Sequence, residues 1–207
     1  MSDAVLEKKL DITATIKEGI AIGVKNIGPI LVNVILWAVT VWIPYLNVGT
    51  TIGLMVGIIS KASKGEPISF TEIFDPKYRK YMGEFFLSTG LVSIGIGVGM
   101  ALFIAPGIVI GIAWCLTTLL VIDKGKNPTE AISLSNSCTY GYKGKMFCIY
   151  LIVCVVFFIV QVILGAIGGA LHIAGFMGFL VFLTALFELF VFIGLQASIY
   201  KQLAGNI

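Results

Sequence analysis

Apolar runs separated by short polar or basic links fill the chain, at roughly 28–46, 47–60, 83–104, 106–122, 146–170 and 176–200. Each predicts a membrane-spanning helix, since a hydrocarbon core about 30 Å thick takes about 20 apolar residues, and the second and fourth runs are short for a full crossing. Three breaks predict tight turns: Pro44 to Asn47, Ala105-Pro106-Gly107 with Pro106 suited to a first helical position, and Gly168-Gly169 to Gly175. None of these turns contains Lys, Arg, Asp or Glu.

Ahead of the first span, Ile12, Ile16 and Ile20 recur every four residues, with Lys17, Glu18 and Lys25 elsewhere around the turn. This pattern predicts an amphipathic helix in the cytoplasmic membrane interface. Gly19 and Gly23 favour another arrangement, in which the helix packs closely on the bundle. In the link 123–145, Asn127 is placed to cap a short surface helix that has Pro128 first, Glu130 reaching back and Gly141 as its stop. Ala131, Leu134 and Cys138 give that helix a modest apolar stripe. Lys143 and Lys145 follow and are expected at the lipid headgroups.

Composition agrees with the pattern. Hydrophobic residues make up 58% of 207 and charged residues 12%, and the mean hydropathy is +1.02, so the chain is solvated by lipid rather than water. The expected fold is all-α: one membrane domain, 1–207, with an amphipathic segment over 1–26 and a six-helix bundle over 27–204. Its longer loops are 61–82 and 123–145. The amino terminus lacks the features of a cleaved signal peptide and is expected to remain.

Basic residues are confined to the first 26 residues, the two longer loops and Lys201. With six crossings all 14 lie on one face, which the positive-inside rule makes cytoplasmic, together with both termini. The net charge of +3 therefore reports topology, and no nucleic-acid motif accompanies it. The four cysteines form no C-x-x-C pair, and one histidine with no acidic cluster leaves no basis for a metal, a cofactor or a catalytic centre.

Two segments, "GIISKASKGEPISFTEIFDPKY" (57–78) and "VIDKGKNPTEAISLSNSCTYGYKGKMF" (121–147), carry a resemblance. In their order and spacing the chain resembles a group of prokaryotic six-helix membrane proteins related to the membrane domain fused to some glycerophosphodiester phosphodiesterases. The resemblance implies a bacterial or archaeal inner-membrane protein and no catalytic residues, because the hydrolase chemistry of those fusions belongs to a separate domain.

Small residues recur at helical spacing in the pairs Gly53 and Gly57, Gly95 and Gly99, Gly107 and Gly111, and Gly165 and Gly169. Such pairs let backbones approach within a bundle or between subunits, and Gly97, about 200° from Gly95, thins the third span on a second side. Glu188 stands alone inside "FLVFLTALFELFVFIGLQ", about 20 Å along the helix from Lys201, too deep to reach the headgroups. It must be protonated, hydrogen-bonded or facing water. Gln161 is the expected partner, at similar depth if the fifth and sixth spans are antiparallel neighbours, with Gln196 as a further polar neighbour. Two functions are consistent with this: a small channel- or transporter-like protein for an ion or small solute, which could be a homo-oligomer, or a non-transporting membrane subunit or assembly factor that binds another membrane protein.

Overall fold

The computed structural model describes residues 10–207, and among them there is helix but no strand. Lys8 and Lys9, counted above among the basic residues, lie outside the described residues. Helices α1 (Ile12–Lys25) and α2 (Ile27–Thr40) meet at 70°. The Asn26 side-chain amide closes α1 on the Ile22 carbonyl at 2.9 Å. After a turn, α3 (Leu46–Ile52) runs through a π-helical turn, Gly53–Gly57, into α4 (Ile58–Lys64). A loop with a 3-10 turn at Glu72–Phe74 and the single turn α5 (Lys77–Lys80) leads to α6 (Met82–Leu102). Helices α7 (Ile104–Trp114), α8 (Thr117–Lys124), α9 (Pro128–Thr139), α10 (Lys143–Ala170) and α11 (Ala174–Ala204) complete the chain.

Among the described residues five helical stretches are long and apolar enough to cross a membrane: Leu46–Lys64, Met82–Leu102, Ile104–Lys124, Lys143–Ala170 and Gly175–Ala204. The bent pair α1–α2 makes a sixth if it counts as one span. The protein is thus an all-α bundle of multi-pass membrane type. Its first span differs from the expected 28–46, because α2 stops at Thr40 and the turn at Tyr45 takes a positive φ of 69°.

Helix α1 packs along α11, and its buried stripe is Thr15, Gly19 and Gly23 instead of the isoleucines. Side chains at Gly19 or Gly23 would collide with Leu195 and with the Phe190 backbone, and one at Gly194 would strike the α1 backbone. The close-packed arrangement therefore holds for α1, with Ile12 and Ile16 on its flank against the core and Ile20 exposed. Glu18 locks the contact through Ser198 and Lys201, both at 2.7 Å.

The core is concentrated where α1, α4, α8, α9 and the ends of α10 and α11 meet, around residues such as Leu116, Leu120, Ile149, Leu195 and Ile199. Beyond Val153, only Gly168 of α10 is buried. Helix α9 is capped as expected, the Asn127 side chain accepting from Thr129 N at 3.1 Å, but Glu130 pairs with Lys126 instead of reaching back to the cap. Nor is α9 a surface helix, since Ala131, Ser135, Cys138 and Thr139 are buried against its neighbours.

One placement departs from strict alternation of spans. Ala105, Ile108 and Ile112 of α7 line a groove whose other wall is Lys143, Gly144 and Phe147 of α10. Ala105, beside the α6–α7 turn, thus shares a groove with Lys143, so the turn lies near the start of α10 instead of opposite it. Residues Leu102 to Pro106 are exposed and wholly apolar, as suits a turn that stays in hydrocarbon. The 41–47 turn, in contrast, carries Trp42 at 86% exposure, Tyr45 and Asn47.

Candidate functional site

Besides the Glu18–Ser198 contact of α1 with α11, three polar clusters stand out among the described residues, two of which the sequence did not reveal. The first closes the end of α4 and α8. Asp123, the last acidic residue of an apolar run, accepts from Ser60, from Lys64 at 2.5 Å and from Tyr200 at 2.8 Å. Beside it the loop after α4 carries Glu72, whose side chain is 3% exposed and accepts from Lys61 and Tyr78, both at 2.7 Å, and from Lys77 at 3.4 Å. Asn33 of α2 holds this loop, donating to the Ser69 carbonyl at 2.7 Å and accepting from Ile73 N at 3.1 Å.

Burial pushes the Glu72 carboxyl up, but the Lys61 and Tyr78 hydrogen bonds and the charges of Lys61 and Lys77 outweigh it, so the group titrates below its ordinary 4.5. Burial and the neighbouring Glu72 carboxylate push the Tyr78 hydroxyl up, so it remains a donor. Beside Asp123 lies a cavity of about 250 Å³ bordered by Ser60, Lys64, Glu66, Tyr78, Tyr81 and Asp123. Gly57, in the π-helical turn, faces the Tyr78 ring, and Gly53 faces the Ile73 backbone. The Gly53 and Gly57 pair thus seats a loop, whereas a helix was expected. π-helical turns are frequent at functional sites. The signal in the sequence was an Asp and two Lys ending different apolar runs at matching depth.

The second cluster satisfies the break between α7 and α8. Ser135 of α9 accepts from Leu116 N at 3.2 Å and donates to the Ala113 carbonyl at 2.8 Å, which Thr139 also reaches at 3.3 Å. Gln196 donates to the Cys115 carbonyl at 3.1 Å and accepts from Tyr150 at 2.5 Å. Irregular backbone inside a membrane persists where protein groups pair its N–H and C=O, which is the role Gln196 has here. It stands eight residues, about 12 Å, from Glu188, with the apolar Leu189 to Leu195 between, so it is no neighbour of that carboxyl.

The third cluster is the pair drawn from the sequence. Gln161 of α10 donates to Glu188 of α11 at 3.1 Å, and both are half-buried between the two helices. Phe157 and Phe187 close one side, with ring centroids 6.2 Å apart. No lysine or arginine among the described residues pairs with Glu188, in contrast to Glu72 and Asp123. His172, at the α10–α11 turn, is exposed with φ 55°.

The remaining glycines divide sharply. Gly95 packs under the Trp114 ring, and Gly99 and Gly107 let α6 and α7 meet backbone to backbone, with Gly111 in ordinary contact with Ile96. Gly165 and Gly169 face open space, as does Gly97, so they pack no helix within the chain. Lys143 donates to Asn136 at 2.8 Å, and Lys145 is turned inward to the Leu10 carbonyl at 3.0 Å. Among the described residues no group of three or more His, Cys, Asp or Glu is arranged to hold a metal. No family model, curated protein or solved structure matches the chain.

Proposed function

We propose that the chain is a membrane subunit that handles a proton, a cation or a small solute at Glu188, with a second copy of the chain walling the carboxyl on its open side. The observation behind this reading is that an ionisable group, well inside an apolar hairpin, is only half-buried and has one amide partner. An ionised carboxylate facing lipid is costly, and a permeation route needs protein or water around it. Gly165 and Gly169 continue the Gln161 stripe at four-residue spacing with open space before them, which suits close approach of another helix. The basic ends of the helices favour a cytoplasmic position for the Asp123 cluster and both termini. The likeness of 57–78 and 121–147 to the prokaryotic six-helix group favours a bacterial or archaeal inner membrane.

The second reading, a subunit that transports nothing and binds another membrane protein, draws support from the apolar stretch Leu189 to Leu195, which leaves no polar side chain on α11 between Glu188 and Gln196. Reconstituted vesicles and native complexes separate the two. Under the first reading purified protein forms a homo-oligomer and carries proton or cation flux that Glu188→Gln abolishes while the oligomer persists. A stoichiometric foreign partner in mild detergent, with no flux from the wild type, selects the second. Flux unchanged in Glu188→Gln removes Glu188 from the route.

A further inference from the structure

The groove between α7 and α10 has no part in that reading. Its walls are carbon, from Ala105, Ile108 and Ile112 on one side and Phe147, Gly144 and the stem of Lys143 on the other. Ala105 of the exposed apolar turn Leu102 to Pro106 lines one wall. Lys143 lines the facing wall, and the hydrogen-bond partner of its ammonium is the neutral Asn136 amide. Among the described residues no carboxylate stands within ion-pair distance of Lys143, unlike Lys61, Lys64, Lys77, Lys126 and Lys201. A cation with only a neutral partner, next to an apolar trough, is complementary to a molecule with an anionic head and an acyl tail.

We infer that this groove holds one anionic phospholipid, its phosphate on Lys143 and one acyl chain laid between α7 and α10. Gly144 keeps the trough open, since a Cβ built there meets nothing within 4 Å. This gives a variant that fills the groove with no clash at its Cβ: Gly144→Phe places a ring where the chain would lie, and replacing a helical glycine favours the helix. The charge is tested separately by Lys143→Gln, which keeps a donor for Asn136.

The full chain, purified in mild detergent, is titrated with dioleoyl phosphatidylglycerol or dioleoyl phosphatidylcholine, and bound lipid is counted by native mass spectrometry. The wild type retains one phosphatidylglycerol in preference to phosphatidylcholine. Lys143→Gln weakens phosphatidylglycerol about fivefold and leaves phosphatidylcholine unchanged. Gly144→Phe weakens both roughly tenfold, as displacement of a few methylenes requires. Equal retention of the two lipids by the wild type, or undiminished phosphatidylglycerol in Gly144→Phe, overturns the assignment. Helical circular dichroism of both variants guards against misfolding. The outcome is independent of flux at Glu188.

Discussion

The packed base of the bundle and the open arm formed by α10 and α11 treat the same residue types in opposite ways. At the base two buried carboxylates are saturated: Glu72 takes two lysines and a tyrosine, and Asp123 takes a lysine, a serine and a tyrosine. On the arm Glu188 takes one amide. Base glycines such as Gly23 and Gly57 touch backbone or an aromatic ring, whereas Gly165 and Gly169 on the arm touch nothing. The difference teaches that a carboxylate and a glycine pair in a membrane sequence are not functional marks by themselves. At the base they are absorbed by the fold, and on the arm they are left over for something outside the chain.

The strongest challenge to this contrast is steric. Gly23→Leu drives a side chain into the Phe190 backbone and should cost about 3 kcal/mol or more, lowering the folded yield from detergent chromatography. Gly169→Leu should leave the folded protein intact and instead reduce the size of its complex. If the two variants lose folded yield equally, the division between base and arm fails.

A smaller effect is expected from the carboxylates. Glu72→Ala removes three donors' acceptor from a buried position and should destabilise by about 2–3 kcal/mol in thermal unfolding. Glu188→Ala removes one amide bond and should cost about 1 kcal/mol. Equal losses would mean that Glu188 supports the fold as Glu72 does.

The smallest effect is on pH dependence. In the folded chain Glu72 titrates below its ordinary 4.5, so its contribution is complete above that value and is lost as pH falls through the lower folded value. Melting temperature followed from about pH 6 to about pH 3 should therefore converge for wild type and Glu72→Gln at the acid end. A constant gap across that range would show that the Glu72 ion pairs contribute nothing to stability.

Much of this was legible in the sequence where the signal is local. The cap at Asn127, the stop at Gly141 with φ 81°, and the Gln161–Glu188 pair follow from spacing and depth along single helices. The burial of α9 was not legible, because Ser135 and Thr139 look like surface residues until the α7–α8 break offers them free backbone groups. The face of α1 had two readings, and only packing decides for the one through Gly19 and Gly23. Isoleucines dominate any hydropathy pattern, yet it is Gly19 and Gly23 that admit α11.

By itself the sequence determined that this chain is dissolved in lipid, that it is helical, and which ends of its helices carry charge, because transfer of apolar side chains and satisfaction of backbone groups are summed along each segment. Tertiary structure alone decided which glycines pack, that Gln196 serves a helix break, and that Ser60, Asp123 and Tyr200 meet. Those three are separated by 63 and 77 positions. Lateral order among helices that are all apolar leaves no trace in hydropathy. It emerges only when small residues let particular backbones approach and the few polar side chains find one another.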